Sequence, residues 1–342
     1  MGVDLKDLVL PKTTNLEQLA GKSIAMDAHN TLYQFLATIR QPDGMPLIDS
    51  KKRVTSHLSG LFYRTINLIE KGIKPVYVFD GVPPELKLRT IRERRKVRQR
   101  AEKKWKEALE RRDLKTARKY AQAAIRLTED MVDESKKLLA ALGIPYVQAP
   151  SEGEAQAAYI TVRGDTWGAG SQDWDALLFN AQVLVRNLTI TGRRKLPGKN
   201  VYIKVDPELI VGLEVLNKLE ITRNQLIDIG ILIGTDYNEG VKGVGAKTAL
   251  SLIKKYGNLE KIIDVKAFQI EPSIQQIRRI YLEPKVTDNY TIRWKPPNNE
   301  KITAQLCDDH DFSYERVKKA LDRLEKSISS GTQASLETWF GR

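Results

Sequence analysis

Cysteine and histidine, the residues on which disulfides and soft metal sites depend, are scarce in this sequence. It contains one cysteine, Cys307, and three histidines among 342 residues. A single cysteine excludes an intramolecular disulfide, and so few cysteine and histidine side chains exclude a Cys/His zinc site. His29, His57 and His310 follow no serine or cysteine pattern of nucleophilic catalysis, so we expect structural or surface roles for them. Any catalytic metal is therefore expected on oxygen ligands.

Long apolar runs and a secretory signal are also absent. No uncharged apolar run is long enough to cross a membrane, and the start, MGVDLKDLVL, lacks the basic-then-apolar order of a signal peptide. We therefore expect a soluble, intracellular protein, cytoplasmic in a prokaryotic cell, with no membrane contact. The apolar content of 41% can bury a large core, in one α/β domain with or without an appendage.

Acidic residues are outnumbered by basic ones, and the imbalance lies mostly in one segment. Lys and Arg exceed Asp and Glu by 56 to 43, a net charge of +13, which alone fits DNA, RNA or an anionic membrane. Residues 87–126 contain seventeen of these basic residues and only five acidic ones. The segment lacks Pro and Gly and has sparse apolar positions, which predicts a protruding helix. Solvated helical faces usually mix charges of both signs, whereas this segment is mostly basic. The segment therefore favours nucleic-acid contact.

Short β-like runs end in an acidic residue or lead to one. They are SIAMD, ending at Asp27, PVYVFD, ending at Asp80, and IPYVQAPSEGE, leading to Glu152 and Glu154. Helical patterns lie between them, at 55–72, 128–142 and 154–162. This alternation predicts an α/β fold with a mostly parallel central sheet flanked by helices. After VYIKVDP we expect compact helices and then a polar tail, the helices lying at 207–218, 222–233 and 246–256.

Seven acidic residues form the candidate metal-binding set. A single Asp at a strand end usually caps a helix or begins a turn, but two Asp/Glu-x-Asp/Glu pairs favour a shared site at the carboxyl ends of the strands. Converging carboxylates repel unless cations join them, and oxygen-only ligands suit Mg²⁺ or Mn²⁺. Two such ions can activate water for attack on a phosphodiester. The set is Asp27, Asp80, Glu152, Glu154, Asp173, Asp175 and Asp236.

A glycine-rich stretch, GTDYNEGVKGVGAKTA, precedes the last of these predicted helices. It nearly matches a phosphate-binding loop of ATPases, but Ala246 separates Gly245 from Lys247, and a helix-like run rather than a strand precedes it. An ATP-driven motor is therefore disfavoured. Free backbone N–H groups around Gly243 and Gly245 instead favour a hairpin between two helices that grips a DNA backbone.

With these residues assembled, the chain resembles the structure-specific 5′ nucleases and is most similar to the archaeal type of flap endonuclease. The resemblance covers nearly the whole chain in five ordered motifs, IAMDAHNTLYQF, VYVFDGVPPELK, APSEGEAQAAY, SQDWDALLF and IGTDYNEGVKGVGAKTA. It implies a 5′ flap endonuclease with 5′-3′ exonuclease activity that cuts branched DNA at flap/duplex junctions during replication, including Okazaki fragment maturation, and during repair.

The resemblance also implies how the acidic residues divide between two Mg²⁺ ions, for which Mn²⁺ substitutes. Asp80, Glu152, Glu154 and nearby Asp27 belong to one ion, Asp175 and Asp236 to the other, and Asp173 lies close to both. Lys87 and Arg94, at the base of a basic helical arch (residues 87–130), contact the scissile phosphate, with Arg95 as an alternative in register.

Further DNA contacts follow from the same resemblance. Tyr33 stacks on the base beside the cut, although a tyrosine in LYQF also fits core packing. Residues 226–257 match a helix-two-turn-helix, in which Gly243, Gly245 and Lys247 contact the downstream duplex together with a monovalent cation, K⁺.

The tail QASLETWF is similar to the motif by which replication proteins dock on a PCNA-type sliding clamp. The motif spans residues 333–340, and its key positions are Gln333, Leu336, Trp339 and Phe340. An aromatic pair that covers the protein's own surface is the alternative. The tail lacks the basic extension of eukaryotic members, so nuclear targeting finds no support, and we expect a monomer.

The expected organisation has five parts. An N-terminal nuclease segment (1–86) precedes the arch (87–130), and an internal nuclease segment (131–260) includes the helix-two-turn-helix. A C-terminal helical or irregular region (261–328) packs on the nuclease core, and a flexible tail (329–342) carries the clamp motif. A non-catalytic, clamp-associated protein that binds branched DNA is the alternative function. The complete acidic set favours the enzyme.

Overall fold

The computed structural model describes residues 2–41, 44–190, 192–195, 202–270 and 273–330. The strands are β1 (Lys12–Thr13), β2 (Ser23–Asp27), β3 (Lys74–Phe79), β4 (Tyr146–Gln148), β5 (Gly168–Gly170), β6 (Val183–Arg186), β7 (Gly192–Lys195), β8 (Tyr202–Val205) and β9 (Glu208–Val211). The α-helices are α1 (Ala28–Thr38), α2 (Ser56–Glu70), α3 (Lys87–Glu110), α4 (Leu114–Ala123), α5 (Glu129–Ala141), α6 (Gly153–Val162), α7 (Asp175–Leu178), α8 (Gly212–Leu219), α9 (Arg223–Ile233), α10 (Ala246–Tyr256), α11 (Leu259–Lys266), α12 (Ile274–Leu282), α13 (Asn299–Thr303) and α14 (Tyr314–Ser330).

The central sheet is mostly parallel, as the sequence predicts. Its strand order is β1-β9-β6-β5-β2-β3-β4, and the five strands from β6 to β4 in this order run parallel. Strand β9 pairs antiparallel with both β6 and β1, and β7 and β8 form a separate hairpin. Parallel strands carry their carboxyl ends to one edge, and that edge holds the predicted acidic residues.

The helix predicted at 207–218 is wrong in its first part. Glu208–Val211 is strand β9, whose Ile210 lies opposite Leu184 of β6, and the helix begins only at Gly212. A short apolar run such as ELIV fits a strand as well as a helix turn. Pairing with β6, a long-range contact that local pattern does not contain, decides between them.

Both faces of the central strands of the sheet are buried, and alternate residues of each strand point to opposite sides. In β2, Ala25 faces one core while Ile24 and Met26 face the other. The first core contains side chains from α6, α7, α9, α10 and α12, and the second contains side chains from α1, α2, α5 and α14. The two cores hold the carboxyl edge of the sheet rigidly.

The region after residue 256, expected to be helical or irregular before a polar tail, is partly helical within the described residues. Helices α11 to α14 occupy most of residues 259–330. Helix α14 buries Val317, Leu321 and Leu324 in the second core, where it contacts α2. Its charged residues face outward at helical spacing, which explains why the segment reads as polar in the sequence.

The basic segment forms two helices rather than one. Helix α3 ends at Glu110, Arg112 adopts a positive φ of 56°, and Asp113 caps α4 by accepting the Thr116 N–H at 3.0 Å. Helix α4 returns along α3, with the Lys104 ammonium over the Tyr120 ring. In α3 only Ala101 and Ala108 are buried, so the other side chains of this helix are partly or fully exposed. Within the described ranges, none of the helices is long and apolar enough to cross a membrane.

Candidate active site

Three neighbouring parallel strands, β3, β2 and β5, each deliver acidic residues to the same edge of the sheet. Asp27 is the last residue of β2 and accepts the Asn30 N–H at 3.0 Å as the cap of α1. Asp80 follows β3 directly, and Asp173 and Asp175 follow β5. The predicted convergence of these four carboxylates follows from the strand order.

Glu152, Glu154 and Asp236 reach the same place from helix ends. Glu152 and Glu154 lie at the start of α6, where the helix dipole favours negative charge. The Gly153 N–H between them donates to an Asp80 carboxylate oxygen at 2.6 Å, which ties α6 to the end of β3. Asp236 follows α9 and is buried.

Burial and neighbouring charges shift the pKa values of several members of this set of seven acidic residues, the acidic cluster. Burial first, and then the neighbouring Asp80, raise the pKa of Asp27 well above its usual value. Burial, and to a smaller extent Asp173 and Asp175, also raise the pKa of Glu154 well above its usual value. Burial and Asp236 raise the pKa of Asp175 to about 7. These side chains favour protonation unless positive charge joins them.

Two side chains of α3 supply such positive charge. The Lys87 ammonium contacts Glu152 and lies 3.3 Å from Asp236, while the Arg94 guanidinium lies 2.5 Å from Asp236. Although burial opposes it, Lys87 and Arg94 bring the pKa of Asp236 below its usual value. Burial also acts against the charged Lys87, yet Glu152 and Asp236 raise its pKa above the ordinary value.

The donor chemistry of the cluster fits hard divalent cations. Every candidate ligand is a carboxylate, the group that Mg²⁺ and Mn²⁺ prefer, and burial of so many like charges leaves a demand for cations. Among the described residues, however, no three acidic, histidine or cysteine side chains stand close enough together to enclose an ion as they lie. Lys87 and Arg94 hold the cluster as a salt-bridged set, so metal binding requires these side chains to shift.

Several groups that contact the cluster were not predicted from the sequence. The Val3 N–H donates to an Asp175 carboxylate oxygen at 2.6 Å, and the Ser171 hydroxyl donates to Glu154 at 2.5 Å. The Asn30 side-chain amide donates to Asp173 at 2.9 Å. Ser171 and Asn30 lie within three residues of predicted ligands, which is a usable signal, whereas nothing in the sequence relates Val3 to Asp175.

The histidines divide between the cluster and the core. His29, expected to be structural or at the surface, accepts the Asp80 N–H on Nδ1 at 3.1 Å, so it borders the cluster, and burial lowers its pKa. His57 and His310 are buried and both face the Glu134 carboxylate, at 3.0 and 3.4 Å. That environment agrees with the structural role expected for those two.

The predicted DNA-contact residues lie on exposed parts of the molecule. The Tyr33 side chain is 36% exposed and its hydroxyl accepts a hydrogen bond from Arg98 of α3 at 3.0 Å. Arg95 is exposed, in contrast to Arg94, which turns toward Asp236. The core-packing alternative for Tyr33 therefore finds no support in its environment.

The glycine-rich hairpin joins α9 to α10, as expected for two helices in the 226–257 region. Gly243 has a positive φ of 83°, which favours glycine. Gly245 caps α10, and Gly243, Gly245 and Lys247 are all exposed. The clamp-motif residues lie outside the described part of the chain, and they are Gln333, Leu336, Trp339 and Phe340.

Comparison with known proteins identifies the family. The XPG N-terminal domain matches residues 1–101, and the XPG I-region matches residues 143–236. Flap endonuclease 1 of Pyrococcus furiosus is 55% identical over 347 residues, covering 100% of both chains. The chain belongs to the flap endonuclease 1 branch of the XPG family. As a member of that branch it is a structure-specific nuclease of DNA replication and repair, and XPG-family nucleases are metal-dependent and act on branched DNA.

Solved structures agree with this assignment. Flap endonuclease-1 from Methanococcus jannaschii matches with a TM-score of 0.77 and 45% identity, covering 97% of this chain and 100% of that chain. The catalytic core of Rad2 in complex with DNA substrate matches with a TM-score of 0.69 and 26% identity, covering 92% of this chain and 96% of that chain. The flap endonuclease fold therefore extends over nearly all of this protein.

Proposed function

We propose that the acidic cluster binds two Mg²⁺ ions and that the protein hydrolyses 5′-flap DNA, endonucleolytically and as a 5′-3′ exonuclease, through them. The observation that carries the proposal is the convergence of seven carboxylates at one edge of the sheet. Asp80, Glu152, Glu154 and Asp27 serve one ion, Asp175 and Asp236 serve the other, and Asp173 serves both. When bound, such ions activate water and stabilise charge on the phosphodiester and on the leaving oxygen. Mn²⁺ has similar ligand preferences and is expected to substitute.

The protein's own groups prepare this site in three ways. The carboxylates are fixed by strand ends and by donors such as the Val3 and Gly153 N–H groups. Lys87 and Arg94 neutralise the acidic residues before cations and DNA arrive. When cations replace them, both side chains become available to contact the scissile phosphate, where their positive charge stabilises the negative charge that develops. This exchange supports Arg94 rather than exposed Arg95 in the catalytic role.

Substrate choice is assigned to three exposed elements around the cluster. The basic arch (87–130) provides positive charge for the phosphates of the single-stranded 5′ end. Tyr33 offers a partly exposed ring on which a base beside the cut can stack. The hairpin around Gly243, Gly245 and Lys247 presents backbone N–H groups at the start of α10 to the downstream duplex, together with K⁺.

The C-terminal tail is assigned to a partner. The motif QASLETWF at residues 333–340 supports docking of a monomeric enzyme on a PCNA-type sliding clamp. Truncation before Gln333 should leave cleavage by the free enzyme unchanged and remove its stimulation by the clamp. Stimulation that survives truncation would instead favour a tail that covers the protein's own surface.

The proposal is tested by cleavage of 5′-flap, 3′-flap, bubble and linear duplex DNA, each with Mg²⁺ and with a chelator. We expect Mg²⁺-dependent cutting of the 5′-flap duplex near its junction, slower removal of nucleotides from linear 5′ ends, and no cutting of the 3′ flap. Flap binding without cleavage in Mg²⁺ would favour the non-catalytic alternative. Equal cutting of all four DNAs would contradict the assigned substrate.

A further inference from the structure

A continuous chain of side-chain hydrogen bonds leads from Thr189 to Asp173. The Thr189 hydroxyl donates to the Gln34 amide oxygen at 2.7 Å, and the Gln34 amide N–H donates to the Asn30 amide oxygen at 2.8 Å. The Asn30 amide N–H then donates to an Asp173 carboxylate oxygen at 2.9 Å. Asn30 and Gln34 are four residues apart on α1, so they share one face of that helix.

The direction of these hydrogen bonds is fixed by Asp173, the last residue of the series. An ionised carboxylate only accepts hydrogen bonds, so Asn30 must turn its N–H₂ group toward Asp173 and its oxygen toward Gln34. Gln34 must then donate to Asn30, and its own oxygen is left to accept from Thr189. Three hydrogen bonds aligned in this way polarise one another, which strengthens the donor that faces Asp173.

Asn30 also holds a second acidic residue of the cluster. Its backbone N–H donates to Asp27 at 3.0 Å, while its side chain reaches Asp173. Asp27 ends β2 and Asp173 follows β5, the neighbouring parallel strand. A single residue therefore sets the separation between carboxylates that arrive on two different strands.

Thr189, at the opposite end of this series of hydrogen bonds from Asp173, is held in the interior of the protein. Thr189 is buried and follows β6, the strand next to β5. The three side chains before Asp173 are neutral, so they add no charge to the cluster, and Asn30 turns its N–H₂ group rather than its oxygen toward Asp173. Their effect is on orientation alone.

We propose that Asn30, Gln34 and Thr189 are positioning residues that hold the Asp173 carboxylate in the orientation in which it binds a divalent cation. The inference rests on the proposed metal-binding function of the acidic cluster. Groups that orient metal ligands from behind commonly change metal affinity or activity by about 10-fold to 100-fold when they are lost. We therefore expect this series of hydrogen bonds from Thr189 through Gln34 and Asn30 to Asp173, the relay, to affect metal affinity.

The test is calorimetric titration of Mn²⁺ into the full-length protein without DNA. Asn30→Leu removes the donor to Asp173 at similar side-chain size, and Thr189→Val removes only the hydroxyl that begins the relay. Thr38→Val is the matched control, because the Thr38 hydroxyl is on the same helix, donates to the Gln34 backbone carbonyl at 2.7 Å and lies outside the relay. Thermal unfolding in a chelator and flap-DNA affinity in a chelator are measured for each variant.

We expect Asn30→Leu to weaken Mn²⁺ binding by about tenfold or more and Thr189→Val to weaken it by a smaller factor. Thr38→Val should bind as the wild type does, and all three should keep wild-type flap-DNA affinity. The Mg²⁺ concentration that gives half-maximal cleavage should rise in the same order.

Wild-type Mn²⁺ affinity in both Asn30→Leu and Thr189→Val would overturn the relay while leaving the cluster's function intact. Equal weakening of Mn²⁺ binding in Thr189→Val and Thr38→Val would also overturn the relay, because the effect would then belong to α1 in general. If the wild-type protein bound no Mn²⁺, the proposed metal site would fail, and the relay with it.

Discussion

The Lys87 ammonium lies 3.3 Å from an Asp236 carboxylate oxygen and at the same time contacts Glu152. A lysine at the start of α3 therefore joins two acidic residues that reach the cluster from different helices. Breaking a buried ion pair from one side leaves the other charge without compensation, which is costly. The same contact connects the stability of the metal-free protein to the residues for which we propose a catalytic role.

The first prediction concerns this contact. Lys87→Met should lower the free energy of unfolding in a chelator by about 3 kcal/mol, since Glu152 and Asp236 lose their buried counter-charge. Mg²⁺ should reduce the difference in unfolding free energy between Lys87→Met and the wild type, because cations then replace the lysine. Denaturant unfolding with chelator and with Mg²⁺ measures this, with exposed Lys103→Met as the control on the same helix. A deficit of equal size in both buffers would show that Lys87 does not substitute for cations.

The second prediction concerns pH. The pKa of Asp175 is raised from 3.8 to about 7, chiefly by burial and then by Asp236. The folded protein therefore binds more protons than the unfolded chain in this interval, and stability falls as pH rises from about 4 through about 7. Asp175→Asn removes this titration and still leaves an oxygen for the Val3 N–H.

In metal-free buffer Asp175→Asn should accordingly unfold at a higher temperature than the wild type at pH 8, and the two should converge near pH 4. Thermal unfolding across this range in a chelator provides the measurement. A wild type that matches Asp175→Asn at every pH would contradict the raised pKa.

The third prediction concerns the start of the chain. A Cβ atom on Gly2 would lie 2.6 Å from an Asp175 carboxylate oxygen, closer than Cβ atoms approach other atoms in proteins. Gly2→Ala should therefore displace Asp175 and slow single-turnover cleavage of a 5′-flap duplex by about tenfold. Lys6→Ala, at an exposed position in the same segment, should cleave normally. Normal cleavage by Gly2→Ala would mean that Asp175 tolerates displacement.

The fourth prediction concerns the support of the helical hairpin. Arg278 of α12 forms two contacts of 2.7 Å with Asp228 of α9, where the Asp228 side chain is 2% exposed. Arg278→Met should cost about 3–5 kcal/mol of unfolding free energy. The adjacent Arg279 forms an exposed pair with Glu283, so Arg279→Met should cost less than about 1 kcal/mol. Denaturant unfolding of both variants measures these losses. Equal losses of unfolding free energy would contradict the difference predicted between Arg278 and Arg279.

Part of the acidic cluster was predictable from the sequence because the ends of its apolar strands are marked locally. Asp27 and Asp80 end apolar runs, and the carboxyl ends of parallel strands share one edge. Lys87 and Arg94 followed from the family resemblance rather than from any pattern, and their contacts with Glu152 and Asp236 depend on how α3 lies across the cluster.

Other features depend on contacts between distant residues, and the sequence does not indicate them. Strand β9 exists because Glu208–Val211 pairs with β6. The break between α3 and α4 needs a positive φ at Arg112, a residue with no particular preference for it. The relay from Thr189 to Asp173 joins α1 to the ends of β5 and β6, and each of its residues separately is an ordinary polar side chain.

Whether the acidic cluster is the metal-binding catalytic centre is decided by single-turnover cleavage of a 5′-flap duplex in Mg²⁺ by Asp173→Ala, with flap-DNA affinity measured in parallel in a chelator. Because Asp173 is assigned to both cations and to neither DNA strand, cleavage should fall to the background without enzyme while affinity stays near the wild-type value. Cleavage at a rate comparable to the wild type would contradict the assignment of the acidic cluster as the metal-binding catalytic centre.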